Sequence, residues 1–236
     1  MNKYFDIDLG DETPASVFVK LRSLSPSFLL ESIERGVDQS RYSFLGLGVS
    51  SVVEVNQGSF SFNNEKIASP ESQDEMMELF RKVLKDLPDL NPQIQDIPFS
   101  GGIVGFSSYD MVRYFESLPV EESKGGLLNP PDCSYLAPLS LLVFDHEDYS
   151  MALLHSGEEQ DRNKLKTNIL DLLKTEISAP TDQNCSYSQP TANVEKDIFT
   201  KAVEKAKHHI FEGDIFQIVL SIAFSGNYNL DPFDVY

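Results

Sequence analysis

Basic residues are scarce in this chain of 236 residues, which has 19 lysines and arginines against 37 aspartates and glutamates. The formal charge of −18 repels nucleic-acid phosphates and anionic membrane surfaces, so we expect neither as a partner. Cysteine is also rare, and Cys133 and Cys185 lie far apart without the CxxC spacing of zinc or redox sites. Two isolated thiols are typical of reduced cytosolic proteins and predict a cytoplasmic location.

Long apolar runs are missing as well. No stretch approaches the length of a membrane span, and the N-terminal MNKYFDIDLGDE lacks the apolar core of a signal peptide, so we expect a soluble protein. A P-loop, a GxSxG elbow and an HExxH motif are absent. GLGVSS at 46–51 half-matches a dinucleotide loop, but the strand-like VVEV follows it instead of a helix, which argues against nucleotide binding.

The patterns that are present alternate hairpins with amphipathic helices. Thr13-Pro14 has the form of a helix start, and SVVEVNQGSFSFNN and APLSLLVFDHEDYSMALLHS alternate as hairpins. Further helices are predicted from Ser72 through Leu84, at about 158–177, and from 194 to a stop at Gly213. Residues 101–116 are predicted as a strand that passes into a short helix, and 215–224 as a buried strand. This order favours an α+β fold with antiparallel sheets flanked by helices over a doubly wound parallel fold.

A polar segment divides the chain. Residues 178–193 are rich in Pro, Ser, Thr, Asn and Gln, which predicts an exposed linker. We therefore expect a first region over 1–178, a linker over 179–193 and a further region over 194–236. In the last region Glu204, His208 and Glu212 follow one helix face at a spacing that fits either metal ligands or, more commonly, a solvated face.

The segment FLLESIERGVDQSRYSFLG, residues 28–46, combines two apolar runs with polar residues between them. Glu31 and Ser32 directly follow the first run, and Arg41 opens the second. If the two runs pair as strands, these side chains meet at one end of a sheet, where a carboxylate and a guanidinium suit a small zwitterion. The alternative is an ordinary surface salt bridge beside a hairpin.

Three motifs resemble a known family. LLES followed by RYSFLG, then GGIVGFSSYDMVRYFE, then GDIFQIVLS, stand in the order and spacing found in component I of anthranilate synthase, over essentially the whole chain. The resemblance implies the N-terminal part of that fold. It also implies conversion of chorismate and ammonia to anthranilate and pyruvate with Mg²⁺, ammonia supply by a glutamine amidotransferase partner, and feedback inhibition by tryptophan.

The resemblance also implies roles for individual residues. Leu30, Glu31 and Ser32 match the tryptophan-inhibitor motif, and Arg41 falls where the family often has a basic residue near the inhibitor. Gln217 occupies an active-site strand position at which isochorismate and salicylate synthases carry a water-activating lysine, and a neutral amide there suits ammonia as the nucleophile. On this basis region 1–178 is regulatory and region 194–236 begins the chorismate-binding part.

Two departures from the family qualify the resemblance. Ile222-Ala223 replace the usual polar and basic residues, and the chain stops at DPFDVY, where the family continues for about as many residues again. The Mg²⁺ ligands and most catalytic groups are expected in that further part, so we expect a fragment that does not turn over chorismate alone. Two alternatives remain open: component I of aminodeoxychorismate synthase, and a stand-alone amino-acid-binding module.

Overall fold

A computed structural model describes residues 3–31, 41–116, 129–176, 186–229 and 231–236. The chain forms two compact units, Met1–Ile177 and Ser178–Tyr236. Within the described ranges no helix has the length and apolar character needed to cross a membrane. Antiparallel sheets and helices make up the first unit, so the predicted α+β class is confirmed.

The described residues form twelve short strands and five α-helices. The strands are β1 (Phe5–Asp8), β2 (Pro26–Leu30), β3 (Tyr42–Leu47), β4 (Ser51–Asn56), β5 (Ser59–Phe62), β6 (Glu65–Ala68), β7 (Val104–Ser107), β8 (Cys133–Ala137), β9 (Ser140–Asp145), β10 (Ser150–His155), β11 (Thr191–Ala192) and β12 (Phe224–Ser225). The helices are α1 (Pro14–Lys20), α2 (Gln73–Asp86), α3 (Glu159–Leu173), α4 (Lys196–Phe211) and α5 (Pro232–Val235).

The first sheet has the strand order β1-β10-β9-β3-β2, and every neighbouring pair is antiparallel. One face packs against α1 and α3, while the other is covered by the proline-bearing connection around Leu90 and Ile94. Strands β9 and β10 are therefore apolar on both faces, as expected for strands buried between two layers. Strand β9 is the central strand of this sheet and is covered on both faces.

The second sheet has the order β6-β5-β4-β8-β7 and packs one face against α2. Its core residues are Val53, Val55, Phe60, Met76, Val83, Met111 and Cys133. Between β7 and β8 the backbones approach closely, because a Cβ at Gly105 would lie 2.0 Å from the carbonyl oxygen of Ser134. Glycine, which has no Cβ, allows β7 to pass this close to the backbone of β8.

Local signals in the sequence account for several element boundaries. Thr13 caps α1 by accepting a hydrogen bond from the Ser16 amide, while the Ser16 hydroxyl accepts one from the Thr13 amide. Pro14 at the first helical position needs no amide partner. The hairpins β4–β5 and β9–β10 form as predicted. Apolar and polar residues alternate along β4 and β5, whereas β9 and β10 are mostly apolar, and each hairpin has a polar turn.

The predicted buried strand at 215–224 is wrong. Residues 215–223 have no strand assignment, and Phe216 and Val219 are 98% and 77% exposed. Only Phe224 enters a strand, pairing with Ala192 in the two-residue ladder β11–β12. The apolar composition predicted burial on both faces, but no described strand pairs with 215–223, so the segment does not join a sheet and several of its apolar side chains stay exposed.

Helix α4 has a weaker apolar contact surface than its periodicity predicts. Ala206 is buried and Phe199 and Val203 are partly buried, but Ile210 is 43% exposed. Its end is confirmed: Gly213 takes a φ of 81°, and its amide and that of the next residue bond back to the last turn in a Schellman arrangement.

Candidate functional site

The two strands of segment 28–46 pair as predicted. Strands β2 and β3 are antiparallel, with Leu30 opposite Phe44. Glu31 directly follows β2 and Arg41 directly precedes β3, so both residues lie at the same end of the sheet. Leu30 is 41% exposed and Glu31 is partly exposed, so both are open to solvent at this edge. Ser32, the centre of the predicted inhibitor motif, lies outside the described residues.

The structure places Arg41 among the carboxylates of the β9–β10 turn. Its Nε and NH2 groups donate to the two Asp145 carboxylate oxygens at 2.9 and 2.6 Å, which is a bidentate ion pair. NH1 lies 2.9 Å from a Glu147 oxygen, and NH2 lies 3.8 Å from an Asp148 oxygen. The guanidinium carbon also sits 5.2 Å from the centre of the Tyr42 ring.

Asp145 is the buried member of this arrangement, with 3% of its side chain exposed. One of its oxygens also accepts hydrogen bonds from the amides of Glu147 and Asp148, which closes the β9–β10 turn. Burial by itself raises the pKa of the Asp145 carboxyl, but the hydrogen bonds from Arg41 and the turn amides outweigh it, and the pKa is lowered.

Sequence reasoning missed Asp145 as the partner of Arg41. The two residues are 104 positions apart, and neither periodicity nor spacing links them. The one available signal was the cluster DHED after an apolar run, because acidic residues at the end of a buried strand need a partner or solvent. Beside this pair, His146 Nε2 lies 2.7 Å from the hydroxyl of the buried Ser43.

We predict that Asp145 contributes stability that acid removes. Because its pKa is lower in the folded chain, the contribution is present above the unfolded-state pKa of about 4 and is lost as pH falls through the folded pKa. Asp145→Asn should therefore lower the urea midpoint at pH 7, and the gap to the parent chain should narrow below about pH 4. The exposed Asp171→Asn is the control and should show little gap at either pH. A gap that stays constant with pH would contradict this account.

A second polar cluster anchors the GGIVGFSSYDMVRYFE motif. After β7 the chain forms a 3₁₀ helix, Tyr109–Tyr114, as the predicted strand-to-helix passage requires. The Tyr114 hydroxyl donates to Asp132 at 2.7 Å and accepts from the Gly58 amide at 2.8 Å. Burial, and then the bond to Asp132, raise the pKa of Tyr114 to about 12. These bonds tie the motif to the β4–β5 turn, and the sequence did not indicate them.

Gln217 is exposed and lies outside every described strand. Glu204, His208 and Glu212 lie on α4 or at its end, where a His208 ring nitrogen is 3.9 Å from a Glu212 oxygen and both side chains are more than half exposed. Within the residues that the structure describes, no three His, Cys, Asp or Glu side chains are grouped to hold a metal ion.

The chain is an α+β protein whose larger unit carries two five-stranded antiparallel sheets. A polar cluster lies where the start of β3 meets the β9–β10 turn, next to the paired strand β2. The sequence model of a family described as chorismate binding enzyme matches residues 27–236. The chain belongs to this family, which confirms the resemblance on which the sequence interpretation depended.

Among its relatives, anthranilate synthase component 1 of Thermus thermophilus is 34% identical over 240 residues, covering 99% of this chain and 49% of that protein. The corresponding protein of Acetivibrio thermocellus is 31% identical, covering 95% of this chain and 48% of the relative. The crystal structure of anthranilate synthase component I from Streptococcus pneumoniae shares the fold, with a TM-score of 0.63 at 24% identity over 97% of this chain and 50% of that one. The chain thus spans about half the length of the relatives it matches.

Proposed function

We propose that this chain acts as the N-terminal portion of an anthranilate synthase component I, with 1–178 as its regulatory region and 194–236 as the start of its chorismate-binding region. The observation that carries the proposal is the 34% identity to the Thermus protein across 99% of this chain. The reaction would convert chorismate and ammonia to anthranilate and pyruvate in tryptophan biosynthesis. A glutamine amidotransferase subunit would supply the ammonia.

The 236-residue chain is expected to be inactive by itself. Gln217 is exposed and belongs to no described helix or strand, whereas a site that transfers ammonia to a bound substrate must hold the reacting groups in fixed positions. Mg²⁺, which we propose as the cofactor, would have to be held by groups other than the described ones, because these contain no suitable cluster. We therefore assign no step of the reaction to residues of this chain.

We propose further that tryptophan binds at the end of β2, where Leu30, Glu31 and Ser32 succeed one another. The antiparallel pairing of β2 with β3 supports this site, because β2 is the edge strand of the first sheet and Leu30 and Glu31 at its end are at least partly exposed. A carboxylate such as Glu31 can accept hydrogen bonds from an amino group. A hydroxyl such as that of Ser32 can donate a hydrogen bond to a carboxylate or accept one from an amino group.

The test uses the protein encoded by the complete reading frame that contains these residues. Anthranilate fluorescence is measured with chorismate, Mg²⁺ and ammonium while tryptophan is titrated. Ser32→Phe should fill the inhibitor pocket and raise the half-inhibiting tryptophan concentration by about tenfold or more, with the uninhibited rate preserved. The matched control is Ser69→Phe, which places the same side chain at an exposed serine directly after β6.

Two results would contradict the proposal. Absence of anthranilate from the complete protein, or formation of an aminodeoxychorismate product instead, would exclude the proposed reaction. Unchanged inhibition in Ser32→Phe would show that Ser32 has only a structural role, and the inhibitor site would have to be sought elsewhere.

One observation favours a second candidate, a stand-alone amino-acid-binding module. All buried apolar side chains of the described residues lie in the unit Met1–Ile177, with the exception of Ala206. That unit therefore has a core of its own and does not require the rest of the chain for burial. A thermal shift of several degrees on adding tryptophan to the 236-residue chain would support the module, and no shift would favour an incomplete site.

A further inference from the structure

The basic residue expected beside the inhibitor, Arg41, has most of its hydrogen-bonding capacity in use. A guanidinium carries five N–H donors in a rigid fork. Two of them form the bidentate pair with Asp145, and a third points to Glu147 at 2.9 Å. We call Arg41, Asp145, Glu147 and Asp148 the Arg41 cluster. In this cluster the Arg41 guanidinium has carboxylates both beside Nε and NH2 and beside NH1.

The charge of the Arg41 cluster is negative. Three carboxylates face one guanidinium, so two negative charges are in excess. A ligand carboxylate that approached Arg41 would be attracted by one charge and repelled by three at similar distances. The hydrogen bond to Asp145 also raises the pKa of the Arg41 guanidinium, so this group keeps its positive charge. This environment does not favour a carboxylate ligand.

The contacts of Arg41 tie the start of β3 to the β9–β10 turn. The His146 amide donates to the Arg41 carbonyl oxygen at 2.9 Å, and Tyr42 stands opposite Asp145 in the β3–β9 register. The side chain and the backbone of Arg41 therefore hold the same turn. Because Arg41 directly precedes β3, these contacts fix the point at which the chain enters that strand.

We infer that Arg41 is a positioning residue, which fixes the chain after the inhibitor motif through Asp145 and does not bind the carboxylate of the inhibitor. The inference rests on the proposed function for the existence of a tryptophan site. It predicts that Arg41 and Asp145 act as one unit: loss of either member has the same consequence, and loss of both adds little more.

The ligand test compares tryptophan with tryptophanamide as inhibitors of the protein encoded by the complete reading frame. Arg41→Gln and Asp145→Asn should each weaken both inhibitors by the same factor, so their affinity ratio changes by less than about twofold. Arg41→Lys should weaken both inhibitors as Arg41→Gln does, because an ammonium cannot reproduce the bidentate pair with Asp145. If Arg41 bound the ligand carboxylate, Arg41→Gln alone would reduce the affinity for tryptophan relative to tryptophanamide by about tenfold. Arg41→Lys would then restore much of that preference for tryptophan.

A measurement without ligand separates this inference from the proposed function. Amide hydrogen exchange at His146 in the 236-residue chain should accelerate by about tenfold in both Arg41→Gln and Asp145→Asn, but not in the exposed control Asp171→Asn. Unchanged exchange in both variants would overturn the positioning role. If the parent protein responds to neither inhibitor, the proposed function fails, and the exchange result alone decides the role of Arg41.

Discussion

Phe144→Ala is expected to lower the free energy of unfolding by about 3–5 kcal/mol, because it removes a large, fully buried side chain and leaves a cavity in the core. Phe144 has no exposed surface and lies in the central strand β9, opposite Ser43 on one side and Met151 on the other. It belongs to the core between the first sheet and helices α1 and α3. Urea unfolding followed by circular dichroism gives the change.

Phe106→Ala is the matched control for this substitution. Phe106 is also a strand residue, in β7, but it is 47% exposed, so the same truncation should cost no more than about 1 kcal/mol. Equal losses in the two variants would mean that β9 does not form the centre of the core as the strand order indicates.

Gly105→Val is expected to have the second large effect, a loss of about 3 kcal/mol at the upper end of what overpacking costs. The Cβ of any larger residue would lie 2.0 Å from the Ser134 carbonyl oxygen and 2.7 Å from the Tyr135 Cα. Both are backbone atoms, which cannot rotate away as a side chain does, so β7 must separate from β8. Urea unfolding measures the loss, and amide exchange at Ser107 should accelerate in the same variant.

Ser107→Val on the same strand provides the comparison. Its side chain is exposed and loses only the 2.6 Å contact with the Tyr135 hydroxyl, while valine suits a strand. We expect a change within about 1 kcal/mol. A loss for Gly105→Val as small as this one would show that the two strands can move apart at little cost, and that the glycine is not required for the close approach.

Features that depend on nearby residues were predictable from the sequence. The start of α1 follows from Thr13, Pro14 and Ser16, whose groups satisfy one another within a single turn. The hairpins follow from alternating or continuous apolar runs around polar turns, and the end of α4 follows from Gly213. In each case the determining groups lie within a few residues of one another, so short-range geometry decides the outcome.

Features that depend on a distant partner were not predictable in the same way. Segment 215–224 has the composition of a buried strand, but a strand forms only where another strand offers its hydrogen-bonding groups, and nothing described pairs with 215–223. Likewise, the contact of Tyr114 with Asp132 and the turn at Gly58 joins three separate parts of the chain. Sequence spacing carries no record of such contacts.

Local patterns and motifs in a fixed order were enough to predict helices α1, α2 and α3, the hairpins, the pairing of β2 with β3, and the family. The short strands β1, β6 and β8 and the partner of Arg41 became known only from the fold. The sequence placed this residue near Glu31 and Ser32, whereas the fold brings Asp145 from 104 residues away into a bidentate pair with it. The physical reason is burial: the Asp145 carboxylate at the end of the covered strand β9 requires a charged partner, and the sheet order sets the start of β3 beside it.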